Sequence, residues 1–211
     1  MENALLIFIK NPELGKAKTR LAATLGKEKA LEIYLKLLAH TRNIALESKA
    51  ERHLFYSQFI DRTDPWDNKE FIKHLQNPNP NLGSKMLTSF EHLLNSGIKK
   101  ALIIGSDCLE LNATIVNSAF NNLGNHEAII GPAKDGGYYS IGFNFEKLGK
   151  RAPSVLKDTF LNKTWSHENV CAEALATFDK HQLSYTQLPI LSDVDVEEDI
   201  QAYLEKLKVL A

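Results

Sequence analysis

Two stretches of the chain are built around uninterrupted apolar runs, "ALLIFIK" at 4–10 and "KKALIIGSD" at 99–107. A strand that is apolar on both faces is covered by other elements on both sides, which is typical of parallel sheets. Between these strands, the spacing of Ile33, Leu37 and Ile44 predicts an amphipathic helix. This alternation predicts an α/β protein with a mostly parallel central sheet flanked by helices.

The rest of the chain continues the alternation. Further strands are predicted at 52–59, at 71–76, twice within 127–143, and at 183–191. Helices are predicted at 18–48, 82–96, 112–123, 168–181 and 196–210. The length of 211 residues fits one domain, so we predict a single domain over 1–211.

Composition excludes several classes of partner. With a formal net charge of -1, no global field attracts nucleic acid or an anionic membrane surface, and we expect neither as a partner. The N-terminal apolar run is too short for a signal-peptide core or a membrane span. Cys108 and Cys171 form no metal-type pair, and we expect reduced thiols in a cytoplasmic protein.

The segment that follows the first strand concentrates positive charge in a nearly neutral chain. Its candidate phosphate-binding residues are Lys10, Gly15, Lys18 and Arg20. A helix N-terminus favours anions, an arginine adds a bidentate fork for phosphate, and a glycine permits close backbone approach. The alternative is a surface loop whose lysines stay solvated, and the local sequence is compatible with both.

Acidic residues follow the second buried strand and recur near the C-terminus. Asp107 could hold a divalent cation that bridges diphosphate oxygens, although with Glu110 it also resembles a helix-capping box. Asp193 and Asp195 could complete such a metal site. For Asp195, the alternative is again the start of a helix, with Glu198 three residues on.

The sequence "GPAKDGGYYSIGF" at 131–143 predicts a hairpin, because Asp-Gly between two apolar segments favours a tight turn. A functional interpretation stays open beside the structural one. Gly136 and Gly137 could let a substrate pass close to the backbone, with Asp135 and Tyr138 lining it. The histidines show no metal-binding spacing, and no Walker loop or nucleophile elbow occurs.

Six segments resemble, in order, the motifs of a bacterial family of glycosyltransferase-like proteins, described as associated with radical-SAM proteins or arsenosugar biosynthesis. They are "FIKNPELGKAKTRLAATLG", "LGSKM", "GSDCLEL", "GPAKDGGYYSIG", "WSHENV" and "SDVDVEEDI". The resemblance covers nearly the whole chain. It implies the nucleotide-diphospho-sugar transferase (GT-A) fold and a transferase that moves a sugar from a nucleotide-sugar to a small-molecule acceptor.

The resemblance also implies roles for individual residues. Lys10, Lys18 and Arg20 would contact the phosphates of the nucleotide. A divalent cation, Mg²⁺ or Mn²⁺, would be held by Asp107 and by Asp195 or Asp193. The sugar and acceptor side would comprise Gly136, Gly137, Tyr138, Trp165 and Ser166, and the candidate catalytic residues are Asp107 and Asp135.

A second resemblance gives a rival function. The spacing of the lysines and the arginine in the basic loop is also similar to that of 2-phospholactate guanylyltransferases, and the fold includes molybdenum-cofactor guanylyltransferases. These enzymes join a nucleotide from a nucleoside triphosphate to a phosphorylated small molecule. The later motifs favour the glycosyltransferase, and a catalytically inactive nucleotide-binding module is a third interpretation.

Overall fold

The computed structural model describes residues 2–201 and 203, and within them seven strands form one sheet. The strands are β1 (Asn3–Ile9), β2 (Glu51–Tyr56), β3 (Ile72–Leu75), β4 (Lys100–Ile104), β5 (Ala128–Pro132), β6 (Tyr138–Asn144) and β7 (Tyr185–Gln187). Their order across the sheet is β3-β2-β1-β4-β6-β5-β7. Because only β6 runs antiparallel to its neighbours, the predicted mostly parallel sheet is confirmed.

Helices cover both faces of the sheet. They are α1 (Thr19–Leu25), α2 (Lys27–Glu47), α3 (Leu82–Asn95), α4 (Ala113–Asn125), α5 (Phe145–Leu148), α6 (Ala152–Phe160), α7 (Val170–Lys180) and α8 (Glu197–Gln201), with a 3-10 turn at Gly149–Arg151. The arrangement has the layers expected of an α/β protein.

Alternate residues of β1 enter two separate hydrophobic cores. Leu5 and Ile7 pack in the core under α1, α2 and α4, whereas Ala4 and Leu6 pack in the core under α3, α6 and α7. Side chains alternate between the faces of a strand, so burial on both faces requires an apolar residue at every position. This explains the uninterrupted apolar run at 4–9.

The single helix predicted at 18–48 is wrong, because the chain forms two helices that meet at Gly26. Gly26 has a φ of 85°, a conformation that glycine adopts without the steric cost of a Cβ. Its N–H donates to the Ala22 carbonyl and its own carbonyl accepts from the Ala30 N–H. The glycine therefore closes α1 and opens α2 at one position.

The segment 145–160 forms α5, the 3-10 turn and α6, none of which we predict from the sequence. Each helix is short, so hydrophobic periodicity has little length in which to show itself. Local start signals are nevertheless present. The Asn144 side chain accepts a hydrogen bond from the Lys147 N–H at 3.0 Å, and Pro153 lies in the first turn of α6.

The predicted C-terminal helix at 196–210 is seen in part. Helix α8 begins at Glu197, one residue after the predicted start, and its described part extends to Gln201. Residue 202 and residues 204–211 lie outside the described part of the chain.

Histidines from β2, β3 and α3 form a cluster, in which His74 contacts both His53 and His92. His53 is 4% exposed, and its ring nitrogens lie 3.0 Å from His74 Nε2 and 2.8 Å from Glu51 Oε1. His74 also stacks on Phe55 and meets the edge of His92. Burial lowers the pKa of His53, and burial with the neighbouring histidines lowers the pKa of His74 to about 4.

We expect this cluster to make stability pH-dependent in mildly acidic solution. The histidine pKa values in the folded state lie below the ordinary value near 6.5, so the unfolded chain binds protons more readily. Stability contributed by the neutral rings is thus present above about pH 6.5 and is lost as the pH falls toward 4. Urea unfolding at several pH values should show that the free energy of unfolding falls less steeply with decreasing pH for His74→Leu than for the wild type. Parallel pH profiles for the two proteins would contradict this assignment.

Candidate functional site

The functional residues predicted after β1 and β4 meet at one edge of the sheet. The two strands are parallel neighbours, with Ile7 opposite Ile104, so the loops at their carboxyl ends leave the sheet side by side. In parallel α/β sheets, this is the edge at which ligands bind. The basic loop after β1 and Asp107 after β4 therefore belong to one site.

Lys18 lies between two carboxylates at the centre of this site. Its Nζ is 3.0 Å from Asp107 Oδ2 and 2.9 Å from Asp195 Oδ1, and only 5% of its side chain is exposed. The predicted convergence of Asp107 with the C-terminal aspartates therefore holds for Asp195, which reaches Asp107 through the lysine.

The electrostatics of this group follow from burial and charge together. Burial disfavours the ammonium of Lys18, but the two carboxylates outweigh it and raise the pKa of Lys18. Burial opposes ionisation of Asp195, yet Lys18, Arg20 and Lys10 lower its pKa. All three predicted phosphate-binding cations thus act on the same carboxylate.

The individual cations of the loop occupy different positions. Arg20 Nη1 is 3.8 Å from Asp195 Oδ2, its side chain is 71% exposed, and Lys10 is exposed as well. Lys16 pairs with Glu13 at 2.9 Å on the surface. Because α1 has only seven residues, the charge available to an anion comes mainly from the side chains of Lys10, Lys18 and Arg20.

Gly15 is required by the shape of the loop. Its φ is 74°, and a Cβ placed there would lie 3.1 Å from Cδ of Lys27, whose side chain packs over the glycine. Lys27 is exposed, and the stem of its side chain lies beside the glycine. The prediction that Gly15 also contacts phosphate stays a prediction.

Asp193 lies in the same C-terminal segment as Asp195, but its pKa is shifted in the opposite direction. Burial raises its pKa to about 7, with further contributions from the charges of Asp107 and Asp135. The segment is fixed by backbone hydrogen bonds: the Val194 N–H donates to the Asp107 carbonyl at 2.9 Å, and the Leu191 N–H donates to the Pro132 carbonyl at 3.2 Å. The charges of carboxylates from three segments of the chain thus contribute to the raised pKa of Asp193.

The alternative of helix capping is wrong for Asp107. Five residues lie between this aspartate and the first residue of α4, whose N-cap is Asn112, and the Asn112 side chain accepts from the Ile115 N–H at 3.0 Å. Glu110 accepts instead from the Ser192 N–H at 2.7 Å.

The capping role predicted as an alternative for Asp195 falls to another residue. Asp199 Oδ2 accepts hydrogen bonds from the backbone N–H groups of Asp195 and Val196, at 2.8 and 2.9 Å. The Asp195 side chain is directed at Lys18. Of the acids near the start of α8, Asp199 therefore organises the helix and Asp195 faces the site.

Tyr34 is a residue of the site that sequence reasoning missed. From α2, its hydroxyl accepts from the Lys10 N–H at 2.9 Å and lies 3.0 Å from the Lys10 carbonyl, to which it donates. The same oxygen is 3.4 Å from Ser106 Oγ, and that oxygen is 3.5 Å from Asp107 Oδ1. Burial and the charge of Asp107 raise the pKa of Tyr34, which keeps the hydroxyl neutral.

Asn11 is the second missed residue and fixes the loop after β2. It is 1% exposed, and its Oδ1 accepts from the Gln58 N–H at 3.0 Å while its Nδ2 donates to the Phe59 carbonyl at 2.8 Å. A buried amide needs such partners, because an unpaired one is costly. A polar residue directly after a buried strand is the signal that could have identified it.

The predicted hairpin between β5 and β6 is confirmed, but its glycine serves packing. Gly136 has a φ of 87°, and a Cβ there would lie 1.9 Å from the Glu168 carbonyl oxygen. The Gly136 carbonyl also accepts from the Cys171 N–H at 2.9 Å. The close approach at Gly136 is therefore made by the protein's own backbone. Asp135 is exposed, and its Oδ1 accepts from the Gly137 N–H at 2.9 Å.

The predicted acceptor side contains two aromatic residues that pack on α3. The Tyr138 and Trp165 rings meet edge to face at 6.4 Å, and the Tyr138 hydroxyl is directed at Met86 Sδ, 3.9 Å away. Trp165 lies close to Gly83, where a Cβ would be 2.8 Å from Cζ2 of the indole. Ser166, next to Trp165, has a φ of 66°. Contact of these residues with a substrate stays a prediction.

The carboxylates at the site suit a hard divalent cation whose remaining ligands come from water or substrate. Among the described residues, no group of three or more His, Cys, Asp or Glu side chains is arranged to hold a metal ion. Two carboxylates, Asp107 and Asp195, already bracket a cation, the ammonium of Lys18. Mg²⁺ is commonly bound by one or two carboxylates together with substrate phosphates, so this oxygen pair fits such a site.

Residues 40–167 match the model of a family described as "Uncharacterized protein conserved in bacteria (DUF2064)". The chain belongs to the DUF2064 family. The matched segment includes Asp107 and the hairpin but neither the basic loop nor the C-terminal aspartates. No curated protein matches the chain.

Three solved structures share the fold of this chain. A Desulfovibrio desulfuricans G20 protein assigned as a nucleotide-diphospho-sugar transferase is 28% identical, with a TM-score of 0.86 over 99% of this chain and 89% of that one. Rv0371c from Mycobacterium tuberculosis H37Rv, in complex with manganese, is 10% identical, with a TM-score of 0.55 over 97% and 98%. The 4-diphosphocytidyl-2C-methyl-D-erythritol synthase of Anaerococcus prevotii DSM 20548 is 9% identical, with a TM-score of 0.58 over 97% and 96%.

These comparisons confirm the nucleotide-diphospho-sugar transferase fold for the chain. The two more distant structures share the fold alone. No helix in the described part of the chain is both long and apolar enough to cross a membrane.

The packing role of Gly136 can be separated from its backbone conformation. Gly97 also has a positive φ, of 80°, but a Cβ added there would point into open space, so it is a matched control. We expect Gly97→Ala to lower the free energy of unfolding by about 1 kcal/mol, the cost of the left-handed conformation. Gly136→Ala should lower the free energy of unfolding several-fold more than Gly97→Ala does, since the Glu168 backbone must also move. Equal losses in urea unfolding would show that the close approach is unimportant.

Proposed function

We propose that the protein is a metal-dependent glycosyltransferase that moves a sugar from a nucleotide-sugar to a small-molecule acceptor. The observation that carries this proposal is the group formed by Lys18, Asp107 and Asp195 at the carboxyl ends of β1 and β4, with Lys10 and Arg20 beside it. The 28% identity to the Desulfovibrio protein across 99% of this chain supports it.

The cationic side chains would stabilise the departing nucleoside diphosphate. Sugar transfer develops negative charge on the diphosphate oxygens, and preorganised cations lower the barrier by binding that charge. Arg20 has the planar fork that suits phosphate oxygens, and Lys10 is exposed and free to approach them. A divalent cation held by Asp107 and Asp195 would add Lewis-acid stabilisation of the same oxygens.

We assign the acceptor to the side of the site near the hairpin. Asp135 is exposed there, and its charge contributes to the raised pKa of Asp193. One of its oxygens is held by the Gly137 N–H. The other oxygen could accept a proton from an acceptor hydroxyl, which is the role of a general base. Tyr138, Trp165 and Ser166 would border the acceptor.

Nucleotidyl transfer is the second candidate function, favoured by the density of cations at the site. Release of pyrophosphate requires several positive groups near the reacting phosphates, and Lys10, Lys18 and Arg20 could serve that reaction as well. The fold is shared with the synthase from Anaerococcus prevotii, although a match at 9% identity carries no function. An inactive nucleotide-binding module remains the third interpretation.

Three broader expectations belong to this proposal. We propose that residues 1–211 act as one transferase domain. We propose a reducing compartment such as the cytoplasm, because both cysteines are buried and free and burial raises their pKa values. The association with radical-SAM proteins or arsenosugar biosynthesis, implied by the family resemblance, stays a prediction.

Binding and product analysis test the proposal directly. We expect titration calorimetry in Mg²⁺ or Mn²⁺ to show saturable binding of nucleoside diphosphates and nucleotide-sugars. Incubation with a panel of nucleotide-sugars should then release nucleoside diphosphate as the sugar passes to a supplied hydroxyl acceptor or to water, and ion-exchange chromatography detects the diphosphate. A parallel incubation with nucleoside triphosphates and phosphorylated small molecules tests the rival reaction. Pyrophosphate release would favour nucleotidyl transfer. Failure to bind any nucleoside di- or triphosphate would refute both enzyme proposals.

Arg20 offers a test of phosphate contact. We expect Arg20→Ala to weaken binding of a nucleoside diphosphate by about tenfold or more, because charge-assisted hydrogen bonds contribute roughly 1.5–3 kcal/mol. Binding of the corresponding nucleoside should change little. Lys16→Ala is the control from the same loop, since Lys16 pairs with Glu13. Equal weakening of nucleoside and diphosphate by Arg20→Ala would argue against phosphate contact.

A further inference from the structure

We propose that Lys18 excludes divalent metal from the nucleotide-free site, and that metal binds only together with a ligand whose phosphates bind the lysine in place of the carboxylates. The inference rests on the proposed function, because it concerns the order in which metal and nucleotide bind. It assigns Lys18 two alternating partners, first the carboxylates of Asp107 and Asp195 and then phosphate oxygens.

The hydrogen bonds of the two carboxylates show why lysine and metal compete. Lys18 Nζ contacts Asp107 Oδ2 and Asp195 Oδ1 at 3.0 and 2.9 Å. The other oxygens face different donors: Asp107 Oδ1 lies 3.5 Å from Ser106 Oγ, and Asp195 Oδ2 lies 3.8 Å from Arg20 Nη1. The oxygens bound to Lys18 are therefore the pair that a metal would share, and two cations cannot occupy that position together.

The backbone holds the ammonium in this position. Lys18 has φ 49° and ψ 51°, which is the left-handed conformation. This conformation is unfavourable for residues that carry a Cβ. Such a conformation persists only where surrounding contacts enforce it. The side chain is 5% exposed, so the ammonium has exchanged most of its water for the two carboxylates. A hydrated metal ion would have to displace a desolvated and doubly paired cation.

The charges at the site favour an exchange in which metal replaces the ammonium at the carboxylates while phosphate binds the ammonium. The ammonium of Lys18 is engaged with Asp107 and Asp195, so these three groups together carry a net negative charge and offer no positive group to phosphate, which meets Arg20 and Lys10 beside them instead. A divalent cation on the carboxylates neutralises them, and the released ammonium then becomes a positive group for phosphate. The four-carbon stem of lysine allows such a movement without a change in the fold. Metal and phosphate therefore assist each other, and neither is accommodated well alone.

Mn²⁺ binding to nucleotide-free protein tests the inference without any need for activity. The free Mn²⁺ that remains in a titration is measured by electron paramagnetic resonance. At Mn²⁺ concentrations where Lys18→Met binds one ion, the wild type should show no saturable site. We expect the affinity of Lys18→Met for Mn²⁺ to exceed that of the wild type by at least about tenfold, since a neighbouring like charge has been removed. Lys18→Gln should behave in the same way and provides a second variant in case one folds poorly.

Two controls define the result. Lys18→Arg keeps a positive charge and should remain without an Mn²⁺ site, whereas Lys16→Met removes a surface charge from the same loop and should match the wild type. Wild-type binding of Mn²⁺ alone, as tight as in Lys18→Met, would overturn the inference and leave the proposed function standing. Loss of nucleotide binding in all these proteins would instead refute the proposed function, whatever the Mn²⁺ result.

Discussion

The pairing of Lys18 with Asp107 and Asp195 is the interaction on which the site depends, because it joins three distant segments. Lys18 and Asp195 are 177 positions apart in sequence, and Asp107 lies between them on the loop after β4. A buried ammonium is costly unless it is paired, and paired carboxylates repel each other without a cation between them. Each member therefore requires the others, and the adjacency of β1 and β4 makes the meeting possible.

Much of this arrangement could be predicted because it follows from burial. Strands that are apolar on both faces indicate a covered parallel sheet, and the carboxyl ends of adjacent parallel strands meet at one edge. Burial and strand direction are enough to place Lys10 and Asp107 at a common edge. The same reasoning fails in the segment 145–160, where Phe145, Leu156 and Phe160 are fixed by contacts in the core. Contacts of this kind leave no periodic signal in a short helix.

Local sequence was least informative where one residue type serves two purposes. An aspartate or asparagine before a helix can cap it or face a ligand, and the pattern along the chain is the same in both cases. Tertiary contacts separate the roles here: Asn112 and Asp199 bond to backbone N–H groups, whereas Asp195 bonds to Lys18. Tyr34 escaped prediction for a related reason, since in the helical stripe it is indistinguishable from a core residue.

Two of the predicted site residues with positive φ, Lys18 and Gly136, resolve backbone strain in opposite ways. At Gly136 the chain uses glycine, which satisfies both the backbone angle and the contact with Glu168. At position 18 it keeps lysine, although glycine would relieve the left-handed conformation. Glycine there would leave Asp107 and Asp195 facing each other without a cation. The requirement for an ammonium between these carboxylates therefore outweighs the backbone cost, and the strained residue marks the chemical centre of the site.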